Sequence, residues 1–295
     1  MENIKVNISR YRYIECCELI NSISEHNYAV IKGEPLSCLA YNSFNKRIAS
    51  DIDILIDRNN LRFVCDKLQD LGYIQKISQR IDRILSLSNS HQTIPFKKKF
   101  KLFYNEIDIN FDIFWGEYSG KRVGMDEFLS DTIEMDIYGV KVKTLPPLKA
   151  MIQLILHHYK DMNSLFLLAT RKSIKYDMFK DIYYLLKNNL ESISLDKLYS
   201  MSTKYEIMPY VYYVLHHTGL LFDDDNLSEY ISAFKTPEGE KLLNCYGLND
   251  SERREWRYDF KTRLETADLY DLIKDDLTPK DTEKIAVNKK VFLGE

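Results

Sequence analysis

The chain has 295 residues, with 41 Lys plus Arg against 44 Asp plus Glu, a formal charge of −3. This balance excludes nucleic-acid binding by bulk positive charge and leaves only a local basic groove as a route to such a partner. With 45% apolar and 29% charged residues, and only 10 Gly and 7 Pro, the composition excludes a disordered chain and suits one large domain or two ordinary ones.

In chain order, Ile14, Cys17, Leu19, Ile20 and Ile23 recur at helical spacing. Residues 29–32 form a short apolar run ending at Gly33, and 36–41 read as a helix behind it. Residues 51–56 are the clearest strand, alternating carboxylate and isoleucine before a turn cluster at 57–60. Residues 61–71 form an amphipathic helix on Leu61, Val64, Leu68 and Leu71, stopped by Gly72. Two strands are expected around a turn at Tyr104 and Asn105, the second spanning 106–114. Segments 132–136 and 140–144 form a hairpin turning at Tyr138 and Gly139.

Beyond Pro146 and Pro147 strand signals almost vanish. Segments 148–159, 176–186, 195–204, 209–217 and 252–273 all favour helix. The expected fold class is α+β: a mixed-sheet domain over residues 1–145, then an all-helical domain over 146–295. The five cysteines, Cys16, Cys17, Cys38, Cys65 and Cys245, include no C-x-x-C pair, so neither a zinc site nor a disulfide framework is expected. The N-terminus lacks a signal-peptide pattern, and no apolar stretch approaches the roughly 20 residues of a spanning helix, so the chain reads as cytoplasmic and independent of membranes.

The chemistry concentrates at Lys32-Gly33-Glu34-Pro35-Leu36 and, 10 residues on, at Arg47-Ile48-Ala49-Ser50-Asp51-Ile52-Asp53. On a strand Asp51 and Asp53 share one face while Ile52, Ile54 and Ile56 take the other. Two adjacent carboxylates repel unless a cation lies between them, and hard oxygen ligands at this spacing suit Mg²⁺ or Mn²⁺. A third carboxylate on a neighbouring strand would complete a two-metal site of the kind that orients a triphosphate and activates a hydroxyl. Gly33 lets the backbone approach a phosphate at a helix N-terminus. Lys32, Arg47 and Ser50 are candidate phosphate contacts; the ordinary alternatives are a surface ion pair for the first two and a turn hydroxyl for the third.

K-G-x-x-L, then R-x-x-S-D-I-D-I-L-I, then a helix into Leu71-Gly72-Tyr73, resembles the uncharacterised nucleotidyltransferase family of the DNA polymerase β-like superfamily. The likeness continues through Asp112-Ile113-Phe114-Trp115, Thr144-Leu145-Pro146-Pro147 and the Asp181-Ile182-Tyr183-Tyr184 helix, covering about residues 28–220. The resemblance implies Mg²⁺-dependent transfer of a nucleoside monophosphate from a nucleoside triphosphate such as ATP, with Asp51, Asp53 and Asp112 as catalytic metal ligands. Asp108 is the rival third carboxylate, since residues 108, 110 and 112 share a strand face; Trp115 favours Asp112. Phe114 replaces the family's usual histidine, and Glu34 is an awkward neighbour for a triphosphate. His157 and Lys160 become candidate active-site wall.

The paired His216 and His217 read as structural. The basic run 97–101 reads as a solvated edge or a steering patch, and the Tyr-rich stretch 205–213 as core packing. The even charge tilts the acceptor towards a small-molecule hydroxyl. A toxin-like transferase acting on tRNA or protein is one alternative; a non-catalytic nucleotide- or partner-binding module is the other.

Overall fold

The computed structural model describes residues 2–76, 84, 86–87, 90–100, 103–115, 122–170 and 173–293. Two compact units result. Among the described residues the first ends at Ala150 and the second begins at Met151.

The first unit is built on seven strands: β1 (Tyr28–Ile31), β2 (Ile52–Ile56), β3 (Ile74–Gln75), β4 (Phe96–Phe100), β5 (Phe103–Asn110), β6 (Ile133–Ile137) and β7 (Val140–Thr144). Their order across the sheet is β3-β4-β5-β2-β1-β7-β6. β2 runs parallel to β5 and β1 runs parallel to β7, while the other pairs are antiparallel. One sheet face carries Val30, Ile52, Ile54, Ile56, Ile107 and Ile109 into a core shared with helices α1 (Glu2–Ser22) and α3 (Leu61–Asp70). Strict alternation on β2 thus sends its isoleucines into this core and Asp53 to the opposite face.

The expected apolar stripe of the first helix holds at Leu19, Ile20 and Ile23 and shifts by one residue at its start. Tyr13, Cys16, Leu19, Ile20 and Ile23 are buried, whereas Ile14 is 46% exposed and Cys17 half-buried. Both stripes have helical spacing, and Tyr and Cys are equally at home in a core, so period alone does not separate them.

The β4–β5 hairpin also differs from expectation. Phe100 pairs with Phe103, and Tyr104 and Asn105 lie within β5 rather than at a turn. Asn105, a turn former by habit, is fully buried, and its Nδ2 donates to the Tyr73 hydroxyl at 2.7 Å, which gives that group a partner inside a strand. The β6–β7 hairpin turns where expected, with positive φ at Tyr138 (55°) and Gly139 (86°), as a two-residue hairpin turn requires. Lys97 on β4 faces Glu106 across the ladder at 2.8 Å, and Lys98 lies over the Tyr73 ring. Lys101, the end of the basic run, falls outside the described residues.

In the second unit, helices Tyr176–Lys187, Leu195–Lys204, Met208–Gly219, Asp225–Phe234 and Pro279–Asn288 dominate. The Tyr-rich helix packs inward: Tyr210 and Tyr213 lie 4.5 and 5.1 Å from the Tyr159 ring. His217 is buried there with Nδ1 2.7 Å from the Tyr213 carbonyl, and burial pushes its pKa down to about 3. Residues 252–273 do not form one helix. Arg254–Glu255 pairs with Cys245–Tyr246 as a small hairpin, and Asp259 starts a new helix, Phe260–Glu265, by accepting from the Thr262 N–H. Among the described residues no helix is long and apolar enough to cross a membrane.

Candidate active site

Antiparallel pairing of β1 and β2 sets Ile31 opposite Asp53, and parallel pairing of β2 and β5 sets Asp108 beside Asp53 on the other flank. Asp51 precedes β2 by one residue. The carboxylates of β2 thus meet one from β5, with the chain leaving β1 turning past them. Lys32 Nζ bonds Asp53 Oδ1 at 2.9 Å, and Asn110 Nδ2 donates to the same oxygen at 3.2 Å.

Asp108 Oδ1 is buried and has no hydrogen-bond partner. Burial first, then the charges of Asp53 and Asp51, push the Asp108 pKa up to about 8, against the opposing pull of Lys32. Asp51 is raised by burial and then by Asp53. A buried, orphaned carboxylate oxygen among like charges is a donor in need of a cation, and an all-oxygen set suits a hard divalent ion. Among the described residues no three such ligands already converge on one point, and Lys32 supplies the counter-charge to Asp53.

Lys32 and Gly33 lead into α2 (Gly33–Tyr41). Lys32 has φ 58° and ψ −149°, and Gly33 has φ 42°. A Cβ at Gly33 would lie 3.2 Å from Ala49 Cβ. Gly33→Ala is expected to cost about 1–3 kcal/mol, read as a lower denaturant midpoint, because left-handed backbone and close approach coincide.

The loop behind is tied down at both ends. Ser37, fully buried, donates to the Ser43 carbonyl and accepts the Arg47 N–H at 3.1 Å, while Arg12 Nη1 donates to the Ala49 carbonyl at 2.9 Å. Arg47 is thus anchored by its backbone, and Ser50 is exposed at the loop end. Glu34 is buried and accepts from the Ser9 hydroxyl, so its charge faces α1 and the electrostatic conflict with a phosphate does not arise.

Asp112 lies two residues beyond the end of β5. β5 ends at Asn110, so the ladder that brings Asp108 to Asp53 stops before Asp112. Asp112 Oδ1 instead accepts the Phe114 N–H at 3.0 Å, and Oδ2 meets Arg122 Nε at 3.1 Å. Burial pushes its pKa up to about 6, opposed by that N–H and by Arg122. Asp108 is the carboxylate paired with Asp53 across the ladder, and Asp112 holds the start of the Phe114–Trp115 segment, whose rings are both buried. Asp112→Ala is expected to destabilise the fold by about 2 kcal/mol, the cost of losing hydrogen bonds to a charged group, while divalent-ion binding measured by calorimetry persists.

His157 and Lys160 belong to the second unit and lie 3.4 and 3.2 Å from the two oxygens of Asp161 on their own helix. His158 points elsewhere and is buried. Two residues near the acidic group went unnoticed in the sequence. Asn110 was detectable as the next residue on the Asp108 face, two positions on. Arg12 lies on α1, and nothing in the local sequence connects it to Ala49.

Residues 12–223 match the family described as uncharacterised nucleotidyltransferase. The chain belongs to this family. The nucleotidyltransferase match runs from within α1, through the whole sheet and the carboxylate group, into the helices of the second unit. No curated protein matches the sequence. A solved structure, an antigenic nucleotidyltransferase-like protein from Paracoccidioides brasiliensis, is similar at 14% identity and a TM-score of 0.33, covering 75% of this chain and 92% of that one.

Proposed function

We propose that this nucleotidyltransferase moves a nucleoside monophosphate from a nucleoside triphosphate to an acceptor hydroxyl, using Mg²⁺ or Mn²⁺ held by Asp51, Asp53 and Asp108. The observation that carries this is the pairing of Asp53 with Asp108, whose buried oxygen has no partner. When bound, the metal supplies charge neutralisation on the triphosphate and activation of the hydroxyl. Gly33 and the N-terminus of α2 receive phosphate oxygens, and Lys32, Arg47 and Ser50 add contacts from the flanking turn and loop. Asp108 would take the acceptor's proton as the new O–P bond forms and pyrophosphate departs.

A small-molecule hydroxyl is the proposed acceptor. The chain has no basic excess, and Glu106 neutralises Lys97 within the sharpest basic run. One observation favours the non-catalytic alternative: the Lys32–Asp53 ion pair offsets that carboxylate's charge from within the chain. Pyrophosphate release from the four NTPs with Mg²⁺, wild type against Asp53→Asn, decides between them. Release that is metal-dependent and lost in the variant supports transfer; release indifferent to the substitution removes this site from the reaction.

A further inference from the structure

We infer that the sheet face running outward from Asp108 along β5 is the acceptor platform. Its ligand is a small molecule with a flat ring and an anionic group at one end and a neutral, hydroxyl-bearing body at the other. This rests on the carboxylate reading above and adds the flank from which the acceptor enters and the chemistry that recognises it.

Alternation on β5 puts Tyr104, Glu106 and Asp108 on one face, while Asn105, Ile107 and Ile109 are buried on the other. Pairing with β4 sets Lys99 beside Tyr104 and Lys97 beside Glu106 on the Asp108 face. Asp53 and Asn110 are buried at the inner end of this strip, and Tyr104 is 55% exposed at the outer end. Opposite Lys97 on β3, Ile74 is 71% exposed, so two large apolar side chains stand bare on strands that lead into the carboxylates. Charge is sorted along the same strip. Glu106 holds Lys97 at 2.8 Å, whereas among the described residues no carboxylate pairs with Lys99. An ammonium beside an exposed ring therefore marks the outer end, and carboxylates mark the inner one.

The two flanks of Asp53 offer different things. Gly33 and the start of α2 follow β1 on one flank and present N–H groups to phosphate; β5 and β4 lie on the other and carry Asp108. Tyr104 precedes Asp108 by four residues, about 13 Å along a strand. A ring stacked on Tyr104, with its anion at Lys99, reaches Asp108 only through a body about the size of a sugar. A polyanion suits this strip poorly, because every charge after the first would pass Glu106 and then the carboxylates. A molecule with one anionic end and a neutral polyol body meets no such repulsion. Tyr104 and Lys99 thus become specificity-determining residues for the acceptor.

The test is a binding titration read by saturation-transfer NMR, with three probes built on one sugar: the carboxyphenyl, phenyl and methyl β-glucosides. They are titrated into wild type, Tyr104→Phe, Tyr104→Thr and Lys99→Gln, with circular dichroism as the check on folding. Phe keeps the ring, and Thr keeps strand preference at an exposed position. Affinity is expected to fall from carboxyphenyl to phenyl to methyl. Tyr104→Thr should weaken both aryl probes about tenfold, the scale of one aromatic contact, while Tyr104→Phe retains them. Lys99→Gln should weaken the carboxyphenyl probe alone. Equal affinity for the three glucosides, or aryl binding unchanged in folded Tyr104→Thr, overturns the inference. So does a hexauridylate that binds through Tyr104 and Lys99 more tightly than the carboxyphenyl probe, which would make this a nucleic-acid face. The titrations are repeated in Asp53→Asn. Aryl binding that still depends on Tyr104, alongside pyrophosphate release indifferent to Asp53, is a failure of the carboxylate reading and leaves the platform standing.

Discussion

Asp53→Asn is expected to reduce metal-dependent pyrophosphate release by on the order of 10³-fold, the scale seen when one preorganised electrostatic group is removed from an active site. Asp53 is the residue every other part of the site meets. It pairs with Ile31 on one side and Asp108 on the other, and its Oδ1 receives both Lys32 and Asn110. The amide is nearly isosteric, so the Ile52, Ile54 and Ile56 packing behind it is undisturbed and the loss should appear in turnover rather than folding. Lys32 then has no carboxylate at this position, which separates the effect from simple steric damage. The check is steady-state pyrophosphate release at saturating Mg²⁺, with circular dichroism to confirm the fold.

Asp108→Asn is expected to lower the same rate by about 10²–10³-fold while raising the melting temperature of the metal-free chain. The two effects have one cause. Asp108 is half-buried beside two other carboxylates, with a buried, unpartnered Oδ1, and its pKa is raised accordingly. That arrangement is costly without a cation and useful with one. Asp108 is ionised in the unfolded chain but held largely as the neutral acid near pH 7 in the folded, metal-free one, and replacing it by Asn removes the cost of that proton uptake. Differential scanning calorimetry with and without Mg²⁺ reads it directly: the wild type gains stability from the ion, and the variant starts higher and gains little. Asp112→Ala should behave in the opposite way, losing stability through Arg122 and the Phe114 N–H while leaving the ion site in place.

Much of the site was legible because it lies where local pattern and tertiary structure agree. Alternation over residues 51–56 gave both the strand and the shared face of the acidic pair, and the apolar run before Gly33 gave β1 and the start of the phosphate turn. The hairpin at Tyr138 and Gly139 follows from turn chemistry alone. The α+β class and membership of the nucleotidyltransferase family rest on these same segments.

Which of Asp108 and Asp112 pairs with Asp53 across the ladder was not legible, and the reason is physical. It depended on where β5 ends, and strand ends are set by ladder partners: β2 offers partners to Ile107, Asp108, Ile109 and Asn110. The misplaced turn at Tyr104 and Asn105 has the same origin, since a buried tyrosine hydroxyl from a distant segment accepts from the asparagine Nδ2. In the second unit, residues 252–273 keep helical composition, yet Arg254 and Glu255 are drawn into a hairpin by Cys245 and Tyr246. Long-range pairing overrides local preference in each case.

The most direct measurement is pyrophosphate release by the wild-type chain from NTPs, run with Mg²⁺, with a chelator, and with a panel of hydroxyl-bearing acceptors, alongside Asp53→Asn, Asp108→Asn and Asp112→Ala. The account predicts release that needs both metal and acceptor, disappears in the first two variants and persists in the third at a temperature where it is folded. Release that survives loss of Asp53 or Asp108, or that is abolished only in folded Asp112→Ala, would contradict it.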